Sequence, residues 1–128
     1  MKKVKNIDIV NFMSMKLGNN TWPIKLLNAL TNNAEACHSA FKTYNENRMK
    51  LIEQYGKRDD NGELLIEDNH YVFEDLEKWL EVINELQMAE VELPITTVSL
   101  NDVEKCDLPE FTSLSMDEFR ILKFMIED

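Results

Sequence analysis

A chain of 128 residues, 44% hydrophobic and 30% charged, is enough for one compact domain and too short for two. With only 3 Gly and 3 Pro it is neither collagen-like nor a flexible or proline-rich linker, and no apolar run approaches the roughly 18 residues of a membrane-spanning helix. The count of 14 Lys+Arg against 24 Asp+Glu, net −10, argues against direct nucleic-acid binding by phosphate neutralisation.

The first predicted element is a short helix from about Ile7 to Leu17, apolar at Ile7, Val10, Phe12, Met13 and Leu17 and stopped by Gly18-Asn19-Asn20. Lys2, Lys3 and Lys5 look like the basic start of a signal segment, but Asp8 and Asn11 interrupt the apolar stretch after them, so a soluble, cytoplasmic protein is expected. Thr21 can then cap a helix with Pro23 in its first turn, where a missing amide hydrogen is tolerated, and no Gly or Pro recurs until Gly56. The prediction is one long helix, from about Trp22 to Tyr55. Its stripe of Leu27, Leu30, Ala34, Cys37, Phe41, Tyr44, Arg48, Leu51 and Tyr55 alternates spacings of three and four, which is heptad spacing. A helix of this length is either the spine of the domain or half of a homodimer formed through it. Arg48 in the stripe suits both readings, as a register-setting charge between two copies or as the partner of an acidic residue from the second half.

Lys57 to Gly62 turns the chain, with Asn61-Gly62 as a type I′ hairpin signal, and two short strands are expected at Glu63 to Glu67 and His70 to Phe73. The segment from Lys57 to Asp68 also resembles a calcium loop in spacing. Lys57 argues against that, because the first position must offer a carboxylate. A third helix from about Glu74 to Met88 places Leu76, Trp79, Leu80, Ile83 and Leu86 on one side and Glu74, Glu77, Glu81 and Glu85 on the other. Glu90 to Leu100 alternates as a strand that, with Pro94 lacking an amide hydrogen, lies at a sheet edge or carries a bulge. Asn101 is expected to cap a turn through Lys105. Ser115 and Glu118 form a capping box, flanked by Leu114 and Phe119, for a final helix that carries Phe119, Leu122, Met125 and Ile126 inward and runs almost to Asp128. The expected fold class is therefore α+β: a long central helix packed by two or three further helices, with a small antiparallel sheet built from the segments near 63–73 and 90–100.

The chemistry on offer is sparse. Cys37 and Cys106 lack CxxC spacing and read as free thiols of a reducing compartment. Glu35 and His38 form a single Glu-x-x-His step, whereas di-iron bundles need two, and the adjacent Cys37 and His38 diverge by about 100° on a helix. No Gly-x-Ser-x-Gly elbow is present, and three isolated glycines cannot build a phosphate-binding loop. The expectation is no enzymatic activity, no cofactor, no metal and no catalytic residue.

Charge distribution carries more information. Residues 1–58 hold 10 Lys/Arg and 4 Asp/Glu, net +6, whereas residues 59–128 hold 4 Lys/Arg and 20 Asp/Glu, net −16. The basic half can fold against the acidic half, and a glutamate stripe can be a merely solvated face. The functional alternative is that Glu74, Glu77, Glu81 and Glu85 form a partner-binding surface for a basic protein.

Trp22-Pro23-Ile24-Lys25-Leu26 opening a helix that contains Asn32, Tyr55 to Gly62 as its end, Glu90-Val91-Glu92-Leu93 and the closing Leu122-Lys123-Phe124-Met125-Ile126 together resemble a family of short phage and prophage proteins of low-GC Gram-positive bacteria, a domain of unknown function. The resemblance spans most of the chain. It implies a phage accessory protein in the bacterial host cytoplasm that binds a host or phage protein with a basic surface. The expected role is an acidic inhibitor of a nucleic-acid-binding or defence enzyme, in the manner of an anti-CRISPR protein; the alternative is a structural protein of the virion or its assembly.

Overall fold

One face of a single long helix gathers most of the buried side chains. In the computed structural model, which describes residues 1–16 and 20–127, strand β1 (Lys2–Lys5) runs directly into helix α1 (Asn6–Ser14), and helix α2 (Ile24–Tyr55) comes next with 32 residues. After it come the hairpin β2 (Ile66–Glu67) and β3 (His70–Tyr71), helix α3 (Leu76–Met88), strands β4 (Glu90–Leu93) and β5 (Val98–Ser99), helices α4 (Leu100–Glu104) and α5 (Met116–Leu122), and strand β6 (Ile126–Glu127). The fold is α+β with α2 as its spine. α1 stops at Ser14, with Met15 already extended, short of the expected end at Leu17; Leu17, Gly18 and Asn19 lie outside the described residues.

The core forms around the first half of α2. Leu26, Ala29, Leu30 and Cys37 recur at helical spacing and meet Ile9 and Phe12 of α1, Leu93, Val98, Val103 and Cys106, and Leu122 and Met125 at the end of α5. Phe12 and Phe124 close one side of it edge to face, 5.3 Å between ring centroids. The heptad stripe read from the sequence only partly coincides with this face: Leu30, Cys37 and Tyr44 are buried, Phe41 is half-buried, and Leu27 and Arg48 are exposed. A straight helix drifts about 20° per heptad from a strict 3.5-residue repeat, so a four-heptad stripe cannot stay on one face. Beyond Cys37 only Tyr44 and Ile52 are buried on α2, whose second half leaves the main core.

The strands pair differently from the single sheet expected. β1 lies antiparallel to β4, with Lys3 opposite Glu92, Val4 opposite Val91 and Lys5 opposite Glu90. The basic N-terminal residues are thus a strand whose lysines face the acidic alternation of the second half. Pro94 ends β4 by withholding an amide, and the Ile95 amide turns back to the Leu93 carbonyl at 2.9 Å. The segment resumes as β5, which pairs in parallel with β6, so Glu90 to Leu100 is two strands rather than one. Among the described residues the hairpin near 63–73 pairs with itself and with Gly56, Lys57 and Arg58, just past the end of α2.

Turn chemistry explains the hairpin. At Asn61-Gly62 only Gly62 takes a positive φ, +79°, and the Asp59 carboxylate accepts from the amides of Asn61 at 2.8 Å and Glu63 at 3.0 Å, which makes a three-residue loop instead of a type I′ turn. The type I′ geometry lies between β2 and β3, where Asp68 and Asn69 have φ of 49° and 65°.

Of three capping expectations, two come out differently. Thr21 does not cap α2; it trades backbone and side-chain hydrogen bonds with Thr112, at 2.6 and 3.0 Å, and ties the start of α2 to the segment before α5. Ser99, not Asn101, caps α4: its hydroxyl accepts the Asp102 amide at 3.1 Å and donates to the Asp102 carboxylate at 3.0 Å, holding that carboxyl below its usual range. The Ser115–Glu118 capping box forms as expected, at 3.1 and 2.9 Å. Yet α5 ends at Leu122, tightens into a 3-10 turn over Lys123–Met125 and then pairs with β5 at Ile126 and Glu127, and Phe119 points outward, 39% exposed.

Candidate protein-binding face

Helix α3 starts at Asp75, whose carboxylate accepts from the Lys78 amide at 3.1 Å. It is held at one end by Phe73 stacked on Trp79, 4.2 Å between ring centroids and 9° from parallel. At the other end the Asn6 side chain donates to the Leu86 carbonyl and the Asn6 amide to the Ala89 carbonyl, both at 2.9 Å. Between these anchors lies a helix with no buried residue: Trp79, Val82, Ile83, Leu86 and Gln87 are half-covered, and its other residues are exposed.

Glu77, Glu81 and Glu85 recur at intervals of four along that outer side and are all exposed. Glu74 is exposed too but precedes the Asp75 cap, so the helical stripe has three carboxylates rather than the four expected, with Glu74 at its mouth. Lys78 reaches Glu81 at 3.7 Å, the one ion pair on this helix among the described residues. Every ion pair found among those residues joins neighbours three apart within the second half, so no Lys or Arg of the basic half neutralises the stripe. Leu76 and Leu80, expected inward, are 57% and 54% exposed and border the carboxylates. The apolar arc of α3 is wider than the flank of α2 and the end of α1 can cover, and that width, about 120° around the helix from Leu80 to Leu86, is the signal that some of it stays outside. The face is therefore mixed, an acidic row beside two exposed leucines.

A second apolar surface is one that sequence reasoning misses. Between α4 and α5 a cavity of about 270 Å³ is floored by Val103, Cys106 and Leu114, and Glu104, Asp107 and Phe119 stand at its sides. Met116, in the first turn of α5, is 83% exposed beside it. A methionine on the polar side of a capping box is the available sign.

The groups with reactive potential are dispersed. Cys37 points into the core while His38 and Glu35 are exposed, so the three do not converge. Burial pushes the Cys37 thiol up to about 11, and burial together with Asp107 raises Cys106; neither is an activated nucleophile. His70 lies exposed on the hairpin. Among the described residues no three His, Cys, Asp or Glu side chains form a metal-binding group, and no helix is long and apolar enough to cross a membrane. Comparison with protein-family models, with curated proteins and with solved structures finds no match for the chain.

Proposed function

We infer that the protein is a non-enzymatic binding protein whose acidic α3 face, Glu74, Glu77, Glu81 and Glu85 with Leu76 and Leu80, docks onto a basic surface of a protein partner. The observation that carries this reading is that α3 spends no residue on full burial while it holds an exposed carboxylate row, with Lys78 on Glu81 as its one ion pair among the described residues, beside exposed leucines. Carboxylates spaced along one helix can occupy positions that phosphates take on a nucleic-acid-binding protein, and the leucines add the apolar anchor that charge alone lacks. Long-range attraction of this kind accelerates encounter and weakens with salt. Together with the resemblance to phage proteins, this supports an accessory protein of the bacterial host cytoplasm that inhibits a nucleic-acid-binding or defence enzyme, without touching nucleic acid itself. A structural role in the virion or its assembly is the second reading, favoured by the uncovered second half of α2.

The test is capture from host lysate by three immobilised chains: the natural sequence, Glu77→Lys/Glu81→Lys, and Glu63→Lys/Glu67→Lys, which makes the same charge change on the hairpin. The reading predicts a partner retained at low salt by the natural chain and the hairpin variant and lost by the α3 variant. Equal retention by all three contradicts it.

A further inference from the structure

The second half of α2 carries an outward surface that includes no α3 residue and of which Phe41 alone also packs against the core. A shallow trough runs along its outer side, with Phe41, Asn45 and Met49 along its floor, and Met49 is 37% exposed. Lys42, Glu46, Lys50 and Glu53 line it, all exposed, and none is in an ion pair among the described residues. Their spacings of four, four and three keep them within about 80° of one another around the helix. Read along α2 the row is plus, minus, plus, minus.

Such a row is complementary to its own reversal. Turned end over end about a two-fold axis near position 48, Lys42 faces Glu53 of the second copy and Glu46 faces Lys50, and symmetry makes each pair twice. The two Met49 side chains then come within about 4 Å of each other along the helix direction, beside the axis, at 1.5 Å of rise per residue. A parallel pair gains none of this. A two-fold axis along the helices puts the charged flanks of the two copies on opposite sides, so no Lys meets a Glu. The matched charges together with the apolar floor select one occupant. We propose that the chain forms an antiparallel homodimer through the outer face of α2 between His38 and Glu53. This is a different orientation and, apart from Phe41, a different set of residues from a heptad seam, whose Leu30, Cys37 and Tyr44 are taken up inside the chain. It uses no residue of α3 and stands or falls separately from the proposed heterotypic binding.

The experiment is sedimentation equilibrium on the full chain at sub-millimolar concentration. The natural sequence is expected at twice its 15.0 kDa chain mass in low salt, with association weakened about tenfold or more at high ionic strength. Lys42→Glu/Lys50→Glu makes the row all negative and Glu46→Lys/Glu53→Lys makes it all positive; each alone is expected to be monomeric, and an equimolar mixture to form the heterodimer. Because the mixture regains association only if both chains are folded, it separates lost charge matching from lost structure. Placing all four changes in one chain inverts the row and is expected to restore the homodimer. A spin label on His38→Cys distinguishes the orientations, at about 30 Å across an antiparallel pair and about 10–15 Å across a parallel one. A monomeric natural chain, a heterodimer that fails to form, or the short distance overturns the proposal.

Discussion

Asn33 is fully buried, yet it is polar, and what it does there is complete the backbone of another segment. Its side-chain amide donates to the Thr96 carbonyl at 2.8 Å and its oxygen accepts from the Thr96 amide at 2.7 Å, supplying the ladder partners that the chain loses when Pro94 ends β4. Asn33→Leu keeps the volume and leaves both Thr96 groups unpaired, so chemical denaturation is expected to show a loss of about 1–3 kcal/mol with an unchanged m-value. Nothing in the local pattern marks this residue, which stands among Asn32, Thr31 and Asn28 as one polar helix position of several, 63 residues from its partner. Cys37, by contrast, is legible as an unreactive thiol from its place among apolar neighbours. Its folded pKa of about 11 lies above the unfolded value near 9.0, so the folded state holds the proton longer, and stability present below that unfolded value is lost as pH rises toward 11. Each pH unit in this window costs up to about 1.4 kcal/mol per thiol, and Cys37→Ala is expected to flatten the alkaline decline measured by urea unfolding between those limits. An identical decline in the variant would assign it to other groups.

Among the elements, those specified by their own residues are the readable ones. The Ser115–Glu118 box and the strands flanking Asp68-Asn69 each depend on neighbours a few positions apart and form where the pattern puts them, while Pro23 stands just before α2 as its N-cap rather than in its first turn. Strand partners are set by distant residues instead. Nothing within Glu90–Leu93 says that Lys2–Lys5 will lie beside it, and nothing in Ile126–Glu127 says that Val98–Ser99 will draw it out of a helix. The same limit explains Leu76 and Leu80: periodicity gives the apolar side of α3, and only the placement of α1 and α2 decides how much of that side is covered. Since both leucines already meet water, Leu76→Ser/Leu80→Ser is expected to change unfolding stability by about 1 kcal/mol or less, whereas Leu122→Ala in the core is expected to cost about 2–5 kcal/mol. A large loss from the α3 pair would mean that the helix is packed more deeply than its exposure indicates.

At the scale of the whole molecule, the separation of charge along the chain becomes a separation in space only in part. β1 sets two lysines against two glutamates of β4, but the carboxylates of α3 keep a single lysine neighbour, and the lysines of α2 alternate with glutamates on their own helix. The acidic face is legible in composition and spacing, whereas its exposure beside two leucines is not, since that depends on which side of α3 the rest of the fold occupies. A concentrated row of like charge acts mostly on the rate of encounter and on its dependence on salt. The direct measurement is stopped-flow association of the captured partner with the natural chain and with Glu77→Lys/Glu81→Lys over a range of ionic strength. Association about tenfold or more slower is expected for the reversed chain at low salt, with a flattened salt dependence and an unchanged fold. Equal rates and equal salt slopes for the two chains would contradict it.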